Sequence, residues 1–444
     1  MAIYVQRVPL LAGLAMFVTL GGCARQTSAT KQSPSQPQPL FFSTDPRAVY
    51  AADLEDSWNR IFSLLFTRTA KVRMSSDFPE AAPFVPFTEA MATKNLKISK
   101  STFERTEIGD RAIEPLYPSF FTDEGTRQVI TTSTWAQLKD ALQAALHESV
   151  SRPPVARALM QSDAWAAYDE FFHHSSRRGD QDPFVERRQA LLELLRQFIK
   201  RLALSSDEIK ALRNNYADAV ATKHLPDLFA ADSGWIEIEL LSHRQNDDSA
   251  GFRRAARVFI KPRKAPANPA AFVESLKHHE HLEEVEAVAL VVQNLLLNTE
   301  GQIVPSPVIS DVQFRFFKDN NGARPTDAVL KQLELSRHLL LTAPQTGGFI
   351  EFDEKSPGYL TAAGNDYTFM SRLLEGIDTP ILVPLRKRCA QCHGQSLTTM
   401  MTYSIHDIPP VPTVRVLKAS DNERAGHVAA LKSQEESYKS LVGQ

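Results

Sequence analysis

The chain has 444 residues, 43% of them apolar and 23% charged, which supports two or three domain-sized cores and excludes wholesale disorder. Fifty lysines and arginines against 52 acidic residues leave a formal charge of -2, without the basic excess that a phosphate backbone demands, so no nucleic-acid partner is expected. Three cysteines, Cys23, Cys389 and Cys392, are too few for a disulfide framework, and the fold must rest on its core.

The chain opens with the single cation Arg7 and the apolar run Val8 to Leu20, which is too short to span a bilayer. Leu20-Gly21-Gly22-Cys23 follows at once and resembles the lipobox of bacterial lipoproteins. The resemblance implies that residues 1–22 are a signal peptide and that Cys23 becomes a lipidated N-terminus. It implies an envelope location at the outer membrane, facing the periplasm, because Ala24 stands where the inner-membrane retention signal has Asp. Several acyl chains on one terminus anchor a protein stably, so the membrane is a partner through that lipid. Residues 23–44, rich in Ser, Gln, Thr and Pro, bury too little surface to offset ordering and read as a disordered tether.

Residues 45–230 read as mainly helical. Asp45-Pro46 has the form of an N-cap and first helical residue, and Leu54, Trp58, Ile61 and Leu65 recur at helical spacing, which predicts a helix to about Arg68. The following 60 or so residues lack a clean period and read as irregular structure with short strands. Thr134 to Gln137 has capping-box spacing and opens a helix to about Ser149, and Pro153-Pro154 starts another to about His174. Phe184 to Leu204 places Leu191, Leu195, Phe198 and Leu202 on one stripe. Ser205 to Glu208 caps a further helix to about Ala221, giving a four-helix array over 134–222.

Over residues 231–355 the period changes from 3.6 to 2. Ile236, Ile238 and Leu240 alternate with Glu237 and Glu239, Val258 and Ile260 precede a proline, and Val312, Phe314 and Phe316 alternate with polar residues. Val285 to Leu297 is apolar on both faces and reads as a central strand entering a hairpin at residues 298–301. Leu333 with Leu335 and the segment Phe349 to Phe352 add strands, and a crossover helix runs from about Pro269 to His281. The expected fold is α+β: a helical N-terminal half, an antiparallel sheet of five or six strands with helices on one face, and a C-terminal segment, residues 356–444.

That last segment holds the chemistry. Cys389-Ala-Gln-Cys392-His393 is a Cys-x-x-Cys-His sequence and resembles the haem-attachment motif of c-type cytochromes, including Gly394 after the histidine. The resemblance implies one covalent haem c, with Cys389 and Cys392 bonded to its vinyl groups and His393 as the proximal iron ligand. A dithiol redox site or half of a zinc site would use the same cysteines, but there is no second Cys-x-x-Cys and no βαβ context. Met400, Met401 and His406 are candidate distal ligands, with Met370 and His427 as further donors. His278, His279 and His281, and the His173-His174 pair, close helices and suit the helix dipole. Arg386-Lys387-Arg388 suits either haem propionates or a solvated surface, and Gly347-Gly348 is a turn. The expected function is electron transfer with a redox partner that the sequence does not identify; the alternatives are a peroxidase-like haem enzyme or a haem-based binding or sensing module.

Overall fold

A computed structural model describes residues 49–66, 68–74, 106–113, 130, 133–148, 151–178, 184–241, 254–276, 282–317, 329–353, 357–360, 381–384 and 413–444. The first helix, α1 (Ser57–Phe66), starts later than expected because Asp56 caps it, its Oδ1 accepting the N–H groups of Trp58 and Asn59 at 3.1 and 3.3 Å. Asp45-Pro46 lies outside the described residues. Buried Asn59 holds the incoming turn: its Oδ1 accepts from the Val49 and Tyr50 amides, and its Nδ2 donates to the Ala51 and Asp53 carbonyls. Arg68, expected as the helix end, opens β1 (Arg68–Met74), which pairs antiparallel with β2 (Thr106–Ile113).

Helices α2 (Thr134–His147), α3 (Pro154–Arg178) and α4 (Val185–Leu202) form where the apolar spacing places them. The Thr134 capping box is not made, since Ser133 takes the N-cap position without a side-chain bond. The helix expected over 205–221 is two helices. Ser205 and Glu208 close a capping box on α5 (Ser206–Lys210), and Asn214 then caps α6 (Asn215–Lys223) by accepting from the Tyr216 and Ala217 amides. The array therefore has five helices, not four. The break lets buried Asn215 face the sheet, where its carboxamide exchanges hydrogen bonds with both backbone groups of Ile309 and donates to the Gly347 carbonyl. Gly347 has φ 75°, and a Cβ there would lie 2.3 Å from the Asn215 carbonyl oxygen, so only glycine fits this turn.

Six strands then pair in sequence, each antiparallel to the next: β3 (Ile236–Leu241), β4 (Arg254–Pro262), β5 (Val285–Leu297), β6 (Ile303–Phe316), β7 (Val329–Leu335) and β8 (Phe349–Asp353). Strands β9 (Pro357–Leu360) and β10 (Ile381–Pro384) join the first pair instead, in the order β2-β1-β10-β9, with β1 and β10 parallel. The larger sheet has seven strands, one more than expected, because β11 (Thr413–Leu417) adds to the edge of β3. Alternation along the strands sends Phe259, Ala289, Val291, Val312 and Phe314 into the helical layer. Ile238, Val258, Ile260 and Val288 point the other way, where α7 (Pro269–Leu276) covers them with Phe272, Val273 and Leu276. Helices thus cover both faces, which is why β5 is apolar on both sides. A short helix, α8 (Arg337–Thr342), links β7 to β8, and the chain ends in α9 (Glu423–Lys432) and α10 (Glu436–Val442). Ala425, Val428 and Ala429 of α9 pack on Ala255 and Leu295 of the sheet.

The helix α3 occupies the middle of the helical layer and touches α1, α4, α5, α8, α10 and β5. From Ala158 to Asp169 every residue is buried. Such a helix cannot point its polar groups at water, so each one needs a partner in the protein. Gln161 is the plainest case. Its Nδ-like amide group, Nε2, donates to the Ile199 and Leu297 carbonyls, and its Oε1 accepts the Leu297 N–H at 2.9 Å, so the side chain acts as a short strand at the end of β5. Replacing Gln161 by Leu strands these buried groups, each costing roughly 1–3 kcal/mol. We expect Gln161→Leu to lower the unfolding free energy by about 3 kcal/mol, measured by urea titration.

Candidate functional site

Cys23, Cys389, Cys392, His393, Met400, Met401 and His406, together with Met370, the 278–281 histidines and Arg386-Lys387-Arg388, lie outside the described residues. Their position along the chain is nevertheless informative. Pro384 ends β10 in the smaller sheet and Thr413 begins β11 in the larger one, so the Cys-x-x-Cys-His sequence belongs to the connection between the two sheets. Among the described residues no group of three or more His, Cys, Asp or Glu side chains is placed to hold a metal ion, and no helix is long and apolar enough to cross a membrane. His173 packs its ring edge-on against Phe172, with centroids 5.7 Å apart.

The strand that receives β11 carries two acids whose roles alternation alone does not reveal. Glu237 and Glu239 alternate with Ile236 and Ile238 along β3, and both are only 1% exposed. Glu237 binds Arg257 in bidentate fashion, Oε1 to Nε at 2.8 Å and Oε2 to Nη2 at 2.7 Å. The same guanidinium donates to Gln293 and Asn422 side chains and to the Ala419 carbonyl, so all five of its N–H groups are used. It lies 4.7 Å from the centroid of Phe229. Burying a charge pair costs several kcal/mol per ion unless the remaining lone pairs and protons are satisfied, and here they are.

Glu239 stands directly opposite Arg415 in the β3–β11 register. Its Oε1 accepts from Arg424 Nη1 at 2.8 Å, its Oε2 from Arg415 Nη2 at 2.6 Å, and His427 Nδ1 lies 3.0 Å away. Arg415 also reaches Glu423 at 3.3 Å. His427, one of the donors considered for iron, is thus held by its Nδ1 side on a buried carboxylate, with its ring partly exposed. Burial pushes the Glu239 carboxyl up, but the hydrogen bonds from Arg424, His427 and Arg415 outweigh it, and the group sits below the ordinary carboxylate range. The usable sequence signal was the pairing of inward acids on one strand with Arg257, Arg415 and Arg424 elsewhere.

A second polar cluster lies between α3, the middle strands and α8. Asp163 accepts from the Tyr50 hydroxyl at 2.7 Å and from Arg337 Nε at 2.6 Å, with a further bond from Arg337 Nη2. Burial first, and then the Asp163 charge, hold the Tyr50 hydroxyl well above its ordinary pKa, so it acts as a neutral donor. Beside this pair is a small cavity walled by Ser162, Asp163, Arg254, Asn294, Ser310 and Arg337, with room for about one water. Asn294 lies where β5 slips register against β6, the kind of bulge that re-aims a side chain. Its buried Oδ1 has no protein donor, and the space suits an ordered water that supplies one.

Comparison with protein-family models, with curated proteins and with solved structures finds no match to this chain.

The Glu239 cluster gives a pH prediction. A carboxylate with a lowered folded pKa contributes stability that is present above its unfolded value, about 4.3, and is lost as pH falls through the folded value. Glu239→Gln leaves buried Arg424 without its anion and should cost about 3 kcal/mol at neutral pH. Urea titrations of wild type and variant at a series of pH values should show the gap closing below about pH 4.

Proposed function

We propose that this chain is a lipid-tethered, c-type cytochrome-like protein of the cell envelope that holds one covalent haem and transfers electrons. One observation carries the reading: Cys389, Cys392 and His393 stand in the Cys-x-x-Cys-His order. Two thiols three positions apart on one short stretch reach the two vinyl groups of one porphyrin, and the next residue is then an imidazole suited to iron. The donor set therefore fits the group. When bound, the haem supplies a reversible one-electron couple.

The N-terminus supports the same reading independently. Haem of this type is attached outside the cytoplasm, and Leu20-Gly21-Gly22-Cys23 carries the export and lipidation pattern. In this reading Cys23 bears the lipid, the protein faces the periplasm from the outer membrane, and Arg386-Lys387-Arg388 offers cations for haem carboxylates or an acidic redox partner. Met400, Met401 and His406 are the side chains proposed to close the far side of the iron. The large folded body serves to position the haem segment or its partner.

The test is covalency. Protein matured with a haem-attachment system, denatured and extracted with acid-acetone, should keep a haem-sized mass increment and stain for haem on a gel. Cys389→Ala with Cys392→Ala should lose both signals, and wild type with free thiols or a disulfide overturns the proposal. A carbon monoxide titration then separates the roles: slow or absent binding to the ferrous protein is expected of an electron carrier. Rapid, complete binding moves the assignment to a haem enzyme or gas sensor.

The tether has its own measurement. Labelled fatty acid should enter through Cys23, and Cys23→Ser should give an unprocessed or soluble product; unlipidated wild type in the soluble periplasm counts against the anchor.

A further inference from the structure

The last turn of α9 buries a lysine completely. Lys432 has no exposed surface, and its ammonium donates to Asp169 Oδ2 at 2.7 Å, to Glu435 Oε2 at 2.7 Å and to Ser437 Oγ at 3.3 Å. Those three bonds use all three of its protons. The Trp165 ring lies on another side, its centroid 5.7 Å from Nζ. The cation is therefore satisfied, but the anions around it are not. Asp169 Oδ1 and Glu435 Oε1 are both buried without a hydrogen-bond partner, as is the Trp165 indole N–H.

The charge count sharpens the point. Two carboxylates face one ammonium, which leaves one negative charge in excess in a buried site, a state costing several kcal/mol. No other cation is paired with Asp169 or Glu435 among the described residues, whether from α3, which brings Asp169 and Trp165, from α9, which brings Lys432, or from α10, which brings Ser437. A single proton removes the excess charge and turns one of the two stranded oxygens into a donor. We propose that the Asp169–Lys432–Glu435 cluster is a proton-binding site, in which one proton balances the second carboxylate, and that this proton sets how firmly the C-terminal helices grip α3. Glu435 is the residue that carries it. Burial pushes its carboxyl upward, Lys432 opposes this, Asp169 adds to the push, and the balance is upward.

The direction of the pH effect follows. A carboxyl whose folded pKa is raised contributes stability that is fully present below the unfolded value, about 4.3, and is lost as pH rises through the folded value. Rising pH thus loosens the join of α9 and α10 to α3. This device is independent of the haem and acts in the chain with or without it.

The experiment is an infrared pH titration of the full chain with its glutamates carbon-13 labelled. A protonated glutamic acid carbonyl band that persists above about pH 5 and fades as the pH rises is the expected result. Its absence above the ordinary carboxylate range overturns the proposal. Glu435→Gln keeps an oxygen for Lys432 and cannot titrate, so it should lose the band and flatten the fall in the urea midpoint with rising pH; a band or slope identical to wild type overturns the assignment. Asp169→Asn supplies the second readout: with one negative charge removed from beside Glu435, the band should fade at a lower pH than in wild type, and an unchanged midpoint overturns the charge argument.

Discussion

A helix wrapped on every side by protein imposes a condition on everything around it. The backbone of α3 satisfies itself, and its alanines, with Leu159, Met160, Trp165 and Phe171, fill the core at roughly 1.5–3 kcal/mol for each large side chain buried. Gln161, Asp163 and Asp169 are polar and equally buried, and each requires a particular partner at a particular place. Gln161 takes the end of β5, Asp163 takes Tyr50 and Arg337, and Asp169 takes Lys432. Four distant stretches of chain are located by these three side chains. Apolar packing alone would tolerate many sliding arrangements of such a layer, whereas hydrogen-bonded partners of fixed geometry tolerate few.

Legibility in the sequence followed how locally each signal acts. The strands β3 to β8 and the helices α2 to α4 were visible because period 2 and period 3.6 are properties of neighbouring residues. The start of α1, the split between α5 and α6, and the seventh strand were not. In each case a polar side chain or a remote segment decides: Asp56 and Asn214 end one conformation and begin another, and β11 is recruited to β3 from far along the chain. The buried acids Glu237 and Glu239 show the limit most clearly. Alternation marks them as opposite to Ile236 and Ile238, which is true, but says nothing about whether that opposite face is wet. The Cys-x-x-Cys-His sequence was readable for the opposite reason, since the attachment chemistry proposed for it needs three residues within five positions.

Residues 413–444 are anchored by charge as well as by apolar contact. Arg415, Arg424 and His427 meet Glu239, the Asn422 side chain and Ala419 carbonyl meet Arg257, and Lys432 meets Asp169. Apolar contact joins them: Ala425, Val428 and Ala429 pack on Ala255 and Leu295, and Tyr438 and Leu441 enter the main core. Removing one member of a buried pair costs more than the pair contributes, because the other member stays behind uncompensated. The C-terminal stretch therefore behaves as a set of mutually dependent locks, and β11 has a defined register from which the preceding connection departs.

The pairing of β11 with β3 also orders events in time. Strand β3 is complete when residue 241 has been made, but its outer edge stays open until residues 413–417 arrive. During that interval an edge of unpaired amides and carbonyls, flanked by Ile236 and Ile238, is a template for a strand from another molecule. A nascent chain thus passes through a stage at which self-association competes with completion, and the competition ends only when the final segment docks. Contacts of such long sequence separation form slowly, which prolongs the exposure of that edge.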